Sequence, residues 1–474
     1  MRKGEPVPNF VVIVTDDQGA WSRGDQMPEL VTPAIDALGA TGLELDGFFC
    51  ASPVCSPARA SLLSGRMPSA HGVHDWIRGD NHGVDTHGVH YLRDQITTPE
   101  ILAEHGYICA HSGKWHLGDA RTPAPGFTHW FAHRDGGGPY FGAPVISDGR
   151  ERTEPNYITD AISDHAEAML RTLTAGPAPF YLQVHYTAPH TPWTQRNHPA
   201  DLLDLYRDCD FPSVPRLPAH PWFESKGGDG GELRSAMRNP LPALRGYCAA
   251  LSGVDRGVAR LVDVLDRSGA RADTYVIFTS DNGFSCGHHG YWGKGNGTWP
   301  LNMWEPSIRV PFVINRPGAV EPGRTSRLVG AASLKPTLLE LADVPAPDDP
   351  LAAGTSFARL LDSSARADEP IEDEAVVVYD EYGGTRMIRT AGHKCIVRSG
   401  GPAEFYDLVE DPGELRNLAD DPAVRDVREH LEHRLGAWFA EHVTAEADAV
   451  AQPVSGKGQR APYWAEASEG RRYV

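Results

Sequence analysis

The chain has 474 residues, 41% of them hydrophobic and 23% charged, which is typical of a globular protein of two or three domains. This composition excludes a disordered, collagen-like or coiled-coil protein. The formal net charge is −19. Because an acidic surface repels phosphate groups, we expect neither nucleic acid nor a membrane among the partners.

The cysteines and the first residues bear on the compartment. The seven cysteines are odd in number, are scattered and form no CxxC pair, so neither a disulfide framework nor a zinc ribbon is expected. No apolar run reaches the length of a transmembrane helix. Residues 1–9 lack the apolar stretch of a secretory signal peptide. The sequence therefore predicts a cytoplasmic protein.

Strands and helices alternate along most of the chain. Apolar runs predict strands at residues 10–14, 180–184, 275–278 and 310–314, and helices are predicted at 33–38 and 247–265. Stretches rich in glycine and proline predict long surface loops, one beginning at 136–139 and one spanning 212–242. The alternation favours an α/β fold with a large, mostly parallel central sheet flanked by helices.

The composition changes near residues 345–374, where prolines, serines and acidic residues indicate a boundary. Beyond it, short strands are predicted at 375–379, 385–389 and 394–397, followed by a helix at 424–442. Consecutive short strands are typical of an antiparallel sheet. We therefore predict a main α/β domain at 1–365 and a smaller C-terminal subdomain of antiparallel sheet plus helix at 366–474.

Two predicted strands run directly into polar residues. Asp16 and Asp17 follow the first strand, and Asp281 and Asn282 follow the third. In an open parallel sheet, ligands lie beyond the carboxyl ends of the strands, and carboxylates packed there repel one another unless a cation neutralises them. Oxygen ligands suit a hard divalent ion, Ca²⁺ or Mg²⁺. The alternative is two separate acidic turns that cap helices.

The segment CSPARASLLSGR, residues 55–66, predicts a helix over 58–63 with a tight entry at Pro57. Cys55 would then lie at the N-terminal end of the helix, where partial positive charge favours an anion. Arg59 follows one turn later, so its guanidinium can lie beside Cys55. The plainer interpretation of Cys55 is a buried small hydrophobic residue or a thiol of low pKa.

The pattern C-x-P-x-R followed by LLSGR resembles the sulfatase family of the alkaline-phosphatase-like superfamily. Further segments similar to the family's motifs occur along nearly the whole chain: VTDDQ at 14–18, GKWHLG at 113–118, PHTP at 189–192, SDNG at 280–283, Lys294 with Glu305 and RVP at 309–311, and EFYDL at 404–408 with Asp411, Pro412, Asn417 and Leu418. Their fixed order makes coincidence improbable.

The resemblance implies a modified nucleophile and a metal. Cys55 would be oxidised to formylglycine by a maturation enzyme, and the hydrated aldehyde would attack sulfur and later expel sulfate, which splits the reaction into two easier steps. Position 55 would also join Asp16, Asp17, Asp281 and Asn282 around a single divalent ion, Ca²⁺ or alternatively Mg²⁺.

The resemblance also assigns the cationic and imidazole side chains. Arg59 would stabilise the diol, Lys114 would bridge the nucleophile and the sulfate, and His116 would be the base that breaks down the covalent intermediate. Since Lys114 and His116 are two residues apart, an extended strand would place both on one side. His190 and Lys294 would bind the sulfate and protonate the leaving oxygen, and their division of labour is left open. Singly, such residues are usually solvated or structural.

Four further residues are candidates for contact with the substrate. Asp75 and Trp76 follow the nucleophile helix, and an aromatic ring there would stack on a sugar face. His185 precedes the His190 loop, and His289 precedes Lys294. The alternative is a set of structural loops with satisfied hydrogen bonds.

The resulting hypothesis is a sulfuric ester hydrolase that acts on a small-molecule, carbohydrate or aryl sulfate ester. A phosphonate monoester or phosphodiester hydrolase of the same superfamily is the nearer alternative. A catalytically silent metal-binding protein is the more distant one, and the presence of all the catalytic residue types argues against it.

Overall fold

The computed structural model describes residues 7–225, 231–366, 374–381, 384–448, 454 and 456–465. The strands are β1 Asn9–Thr15, β2 Leu43–Leu45, β3 Phe48–Phe49, β4 Ile108–Lys114, β5 Phe127–His133, β6 Ala143–Ser147, β7 Arg150–Glu154, β8 Phe180–His185, β9 Thr274–Ser280, β10 Ser285–Cys286, β11 Trp292–Gly293, β12 Phe312–Asn315, β13 Gly323–Thr325, β14 Val329–Gly330, β15 Ala375–Asp380, β16 Thr385–Thr390, β17 His393–Arg398 and β18 Glu404–Asp407. The helices are α1 Pro33–Ala40, α2 Cys55–Ser64, α3 Pro68–His71, α4 Thr98–Glu104, α5 Ile158–Ala175, α6 Ala200–Asp204, α7 Pro221–Ser225, α8 Gly231–Arg238, α9 Pro240–Ser268, α10 Glu305–Ile308, α11 Leu334–Leu341 and α12 Arg425–His442.

A ten-stranded sheet forms the centre of the molecule, in the order β13-β2-β12-β9-β1-β8-β4-β5-β6-β7. The five strands from β9 to β5 in this order are parallel to their neighbours, and the strands that flank them on either side pair antiparallel. The predicted mostly parallel sheet is confirmed. The strand predicted at 310–314 is β12, which runs antiparallel to β9.

Both faces of this sheet are covered, which is why its inner strands are apolar throughout rather than alternating. In β1, Phe10, Val12 and Val14 pack into one hydrophobic core. Val11 and Ile13 point to the opposite face and pack into a second core, where the long helices α5 and α9 contribute many of the buried side chains. Successive side chains of a strand alternate between faces, so one short segment anchors both cores.

The loop predicted at 212–242 is wrong in part. Helices α7 and α8 lie inside it, and α9 begins at Pro240 rather than near residue 247. Prolines and glycines suggested a loop, but proline is compatible with the first turn of a helix because the amide hydrogen that it lacks has no partner there. Helix α9 ends at Ser268 and is capped by Gly269, whose φ of +75° suits a residue without a side chain.

The C-terminal part contains a four-stranded antiparallel sheet in the order β15-β16-β17-β18, with α12 against β16 and β17. Buried side chains of α12, among them Leu431, Leu435 and Phe439, share a small core with this sheet. The predicted antiparallel sheet plus helix is confirmed. The boundary predicted between 365 and 366 falls beside residues 367–373, which lie outside the described residues, and it stays a prediction. Within the described residues, no helix combines the length and apolarity that a membrane crossing requires.

Candidate active site

Four neighbouring strands of the central sheet deliver polar side chains to one edge. Strands β9, β1, β8 and β4 are adjacent and parallel, so their carboxyl ends meet. The last pair in the register of β1 and β9 is Thr15 with Ser280, which places the residues that follow each strand side by side. The predicted convergence of the two polar pairs at this edge is therefore observed, as expected for a parallel sheet.

Helix α2 places Cys55 and Arg59 above this edge. The helix begins at Cys55, and every residue of it is buried. Its entry residue Val54 is extended, and Gly65 ends the helix with a φ of +71°. The predicted position of Cys55 at a helix N-terminus is confirmed. Arg59, one turn later, donates from Nε to Asp281 at 2.9 Å and from Nη1 to the Lys114 carbonyl at 3.2 Å.

The Cys55 thiol lies among charged groups. Its Sγ is 3.3 Å from an oxygen of Asp16 and 2.7 Å from the Lys294 Nζ. Burial, followed by the negative charge of Asp16, raises the pKa of the Cys55 thiol to about 12. An unmodified Cys55 is therefore a protonated thiol at neutral pH, a poor nucleophile by itself.

Three buried carboxylates each face a cation. Asp16 pairs with Lys114 at 2.5 Å, Asp17 pairs with Lys294 at 2.5 Å, and Asp281 pairs with Arg59 at 2.9 Å. Burial raises the pKa of Asp16, but the charges of Lys114 and its neighbours outweigh this and hold that pKa well below its usual range. Burial and then the charge of Asp16 raise the pKa of Asp281 to about 7. The two carboxylates therefore compete for positive charge.

The same residues fit a hard divalent cation. One ligand atom each from Asp16, Cys55 and Asp281 lies within 4.8 Å of the others, all three residues being buried. Asn282 donates from Nδ2 to Asp17 at 2.7 Å, while its buried Oδ1 has no hydrogen-bond partner in the described part of the chain. A free buried acceptor beside competing carboxylates is the donor set that Ca²⁺ or Mg²⁺ takes. The Cys55 Sγ stands where an oxygen of the hydrated formylglycine would be.

His116 is held by the main chain in a defined tautomer. Its Nε2 lies 3.0 Å from the Ile77 carbonyl, and because a carbonyl only accepts, Nε2 carries the proton. The buried Nδ1 has no partner within the described residues, and burial followed by the charge of Lys114 lowers the pKa of His116 well below its usual range. His116 is thus a neutral imidazole whose free lone pair is on Nδ1.

The prediction that Lys114 and His116 share one side of a strand is wrong. Strand β4 ends at Lys114, and His116 has a φ of +56°. This left-handed backbone turns the chain back toward α2, where the Ser56 hydroxyl donates to the His116 carbonyl at 2.9 Å. Both side chains still reach the site, but by different routes.

His190 lies on the loop after β8. Its Nδ1 donates to the Thr191 carbonyl at 2.9 Å, so its other nitrogen is available, and that Nε2 is 3.8 Å from an oxygen of Asp17. Lys294 reaches the same carboxylate from the segment after β11. The structure brings the six predicted catalytic residues and the predicted metal ligands together.

A cavity of about 270 Å³ opens onto this cluster. It is lined by Val54, Cys55, Trp76, Ile77, Asn81, His82, His116, Gly136, Gly137, His190, Lys294 and Asn296. The sequence motifs do not include Asn81 or His82, which lie in a single 3-10 turn, Asp80–His82, too short to show any periodicity in the sequence. Gly136 lies so close to the His116 ring that a Cβ there would be 2.2 Å from it. The glycine-rich loop predicted from residue 136 is therefore a wall of the site.

Of the four candidates for substrate contact, only Trp76 lines the cavity. Asp75 is buried beneath it and accepts hydrogen bonds from the main-chain amides of Trp76 and Gly458. His289 stacks on Trp304, with ring centroids 4.5 Å apart, and lines a different cavity. Asp75 therefore has a structural position, and His289, whose φ is +54°, faces a cavity other than the one beside Cys55.

His185 is also placed differently from the prediction. It lies at the end of β8, fully buried behind Arg59, and its Nδ1 accepts a hydrogen bond from the Arg59 Nη1 at 3.2 Å. Because a guanidinium only donates, the Nδ1 of His185 must be unprotonated to accept this bond. Burial and then the charge of Arg59 lower the pKa of His185 well below the usual range. His185 therefore orients Arg59 and does not line the cavity.

Replacing His185 by phenylalanine should lower kcat about 10-fold, because Arg59 loses a hydrogen bond that fixes its guanidinium. Steady-state kinetics would measure this loss. The matched control is His165→Phe, which should keep wild-type kinetics. His165 is a half-buried histidine of helix α5, and its ring stacks on that of Phe131 with the ring centroids 3.7 Å apart. Equal kinetics in both variants would mean that Arg59 does not depend on His185.

Comparison with known proteins agrees with this geometry. The family description "Sulfatase" matches residues 8–344, which is more than half of the chain. The description "N-sulphoglucosamine sulphohydrolase, C-terminal" matches residues 287–441. The chain belongs to the sulfatase family. It is a sulfuric ester hydrolase.

Curated relatives match over most of their length. The chain is 25% identical to an N-acetylglucosamine-6-O-sulfatase of Bacteroides thetaiotaomicron, over 87% of this chain and 82% of that protein. It is 28% identical to an ulvan-active sulfatase of Formosa agariphila, over 93% and 83%. A choline-sulfatase of Rhizobium meliloti is 26% identical, over 88% and 83%.

Solved structures share the fold. One, determined in complex with its substrate D-glucosamine-2-N,6-O-disulfate, superimposes with a TM-score of 0.74 at 23% identity, over 94% of this chain and 99% of that one. A phosphonate monoester hydrolase of Agrobacterium radiobacter superimposes with a TM-score of 0.70 at 20% identity, over 92% and 96%. At such identities the likeness concerns the fold alone.

Proposed function

We propose that this protein hydrolyses the sulfate ester of a small carbohydrate-like alcohol, with formylglycine at position 55 and a single divalent metal ion, Ca²⁺ in the first instance. The observation that carries the proposal is the meeting of Cys55 with three buried carboxylates and three buried cations next to one small cavity, which Cys55 and Lys294 line. Such a site suits a tetrahedral anion whose ester bond is to be broken.

Position 55 supplies the nucleophile. Because the buried thiol is protonated at neutral pH, we assign the chemistry to its oxidised form. Formylglycine supplies a hydrated aldehyde, with one hydroxyl to attack sulfur and another through which the enzyme is regenerated. The conversion requires a maturation enzyme from the host.

The metal would be held by Asp16, Asp17, Asp281 and Asn282 together with position 55. When bound, it supplies positive charge to the oxygens at sulfur. This role agrees with the free Oδ1 of Asn282 and with the competition of Asp16 and Asp281 for positive charge.

The chain's own side chains hold the sulfate and move protons. Lys114 and Lys294 present ammonium groups to the sulfate oxygens, and Arg59 lies behind the nucleophile. His116 accepts a proton at Nδ1, because its Nε2 proton is engaged with a carbonyl. His190 and Lys294 both remain candidates to protonate the leaving oxygen.

The other residues that line the cavity indicate the chemical character of the alcohol part of the substrate. Trp76 offers an aromatic face, and Asn81, His82 and Asn296 offer neutral polar groups. Among the described residues that line the cavity there is no carboxylate, so it lacks the charge that would attract a cationic alcohol. About 270 Å³ accommodates a sulfate and roughly one sugar ring, at the lower end of ligand pockets. The names of the N-acetylglucosamine-6-O-sulfatase and the ulvan-active sulfatase support a sulfated sugar.

A phosphonate or phosphodiester hydrolase is the second candidate, because a phosphonate monoester hydrolase has the same fold. Matched 4-nitrophenyl esters separate the two. Among these 4-nitrophenyl esters, we expect kcat/KM to be highest for the sulfate. A monosaccharide sulfate should have a higher kcat/KM than 4-nitrophenyl sulfate. A higher value for the phenylphosphonate or the phosphodiester would contradict the assignment. Preparations must first be shown to carry formylglycine.

We also propose a cytoplasmic location and a division into domains at 1–365 and 366–474. The cysteines form no disulfide, which supports a reducing compartment, and fractionation of the native host would test the cytoplasmic location. Separate expression of 1–365 would test the proposed domain division.

A further inference from the structure

We propose that Gln459 is a positioning residue of the active site: it fixes the main chain of residues 72–78, from which Trp76 and the Ile77 carbonyl reach the cavity and His116. The inference rests on the proposed function. Gln459 lies beyond the residues matched by either family description, the later of which ends at 441, and far from every catalytic motif in the sequence.

The side chain of Gln459 is buried and fully bonded. Its Oε1 accepts from the His74 amide at 2.9 Å, and its Nε2 donates to the carbonyls of Gly72 and Ala461, both at 3.1 Å. Since amides only donate and carbonyls only accept, this pattern fixes the orientation of the carboxamide. A buried polar group with every partner satisfied gives a well-defined geometry.

The main chain of Gln459 continues the same contact. Its amide donates to the Trp76 carbonyl at 2.7 Å, and its carbonyl accepts from the Arg78 amide at 2.9 Å, which forms a parallel bridge opposite Ile77. The preceding Gly458 amide donates to Asp75 at 2.9 Å. Residues 72–78 are irregular, so these hydrogen bonds hold their main chain in place as a neighbouring strand would in a sheet.

The opposite edge of residues 72–78 touches the catalytic groups. The Ile77 amide donates to the Ser56 hydroxyl at 3.0 Å, and this hydroxyl in turn donates to the His116 carbonyl. The Ile77 carbonyl accepts the Nε2 proton of His116 at 3.0 Å. A shift of Ile77 would therefore move the base and release its tautomer.

Trp76 depends on the same contact. Its ring lines the cavity and packs beside Gly458, where a Cβ would come within 2.8 Å of the ring. The segment that carries Gln459 thus supports the aromatic wall from behind. Gln459 acts on both the base and the wall without touching the substrate.

The test compares Gln459→Ala with Gln459→Glu and with Arg460→Ala. Arg460 is the exposed neighbour of Gln459 and serves as the matched control. Alanine removes three hydrogen bonds, whereas a protonated glutamic acid keeps one acceptor and one donor at the same length. We expect kcat/KM to fall about 10-fold or more in Gln459→Ala, less in Gln459→Glu and not at all in Arg460→Ala.

Hydrogen–deuterium exchange supplies a readout independent of activity. Amide exchange over residues 72–78 should be several-fold faster in Gln459→Ala than in Arg460→Ala, with metal content and formylglycine content unchanged. Faster exchange with wild-type kcat and KM would show a purely structural contact and overturn the inference, as would unchanged exchange. If Gln459→Ala does not fold, wild-type kinetics in Gln459→Glu with faster exchange would overturn it equally. A wild-type enzyme inert on all sulfate esters would instead contradict the proposed function.

Discussion

Replacing Cys55 by alanine should lower kcat by about 10⁴-fold or more on every ester that the enzyme hydrolyses, because the variant lacks the proposed nucleophile that forms the covalent intermediate. The fold should persist, since alanine fits the space of a buried cysteine. The measurement is turnover of the preferred sulfate ester by fully matured wild type and by the variant.

Cys50→Ala is the matched control for this prediction. Cys50 is buried near the same edge of the sheet, and its Sγ lies 3.9 Å from the Ser307 carbonyl. It should retain wild-type turnover. Activity of Cys55→Ala near the wild-type level would refute the assignment of the nucleophile.

Replacing Asp281 by asparagine should remove the bound metal and lower kcat by about 10³-fold, the loss expected when several kcal/mol of charge stabilisation disappear. Asparagine keeps an oxygen for Arg59, so the buried guanidinium is not left alone. Elemental analysis of the purified proteins measures the metal directly, and it also distinguishes Ca²⁺ from Mg²⁺.

Asp255→Asn is the control for the metal prediction. Asp255 is another buried carboxylate, which accepts from the amides of Ala34 and Ile35 at the start of α1 and lies outside the site. Its metal content should equal that of wild type. An Asp281→Asn protein with unchanged metal would show that the carboxylate cluster is not the metal site.

The main fold and the meeting of polar residues at one edge of the sheet followed from local sequence signals. The apolar run of β1 predicts a strand because its residues serve two cores, and a parallel sheet then brings residues after strand ends to one edge. The position of Arg59 beside Cys55 followed from helical spacing. The catalytic roles of these two residues, and of Lys114, His116, His190 and Lys294, came instead from the resemblance to the sulfatase family.

The sequence did not predict the placement of side chains that depends on an unusual backbone conformation or on contacts made only in the folded chain. His116 and His289 both have positive φ, and no periodicity predicts a left-handed residue other than glycine. His185 is the last residue of β8, and its side chain contacts Arg59 and does not line the cavity. Gln459 could not be found because its partners are close only in the folded chain.

The oxidation state of position 55 tests the central claim most directly. Cleavage after Arg23 and Arg59 releases a peptide of residues 24–59 that carries both Cys50 and Cys55, so one spectrum contains its own unmodified thiol. In protein matured in its native host, we predict an alkylated Cys50 and, at position 55, a residue lighter by the change from thiol to aldehyde. A plain cysteine at position 55 in that protein would contradict the proposed nucleophile.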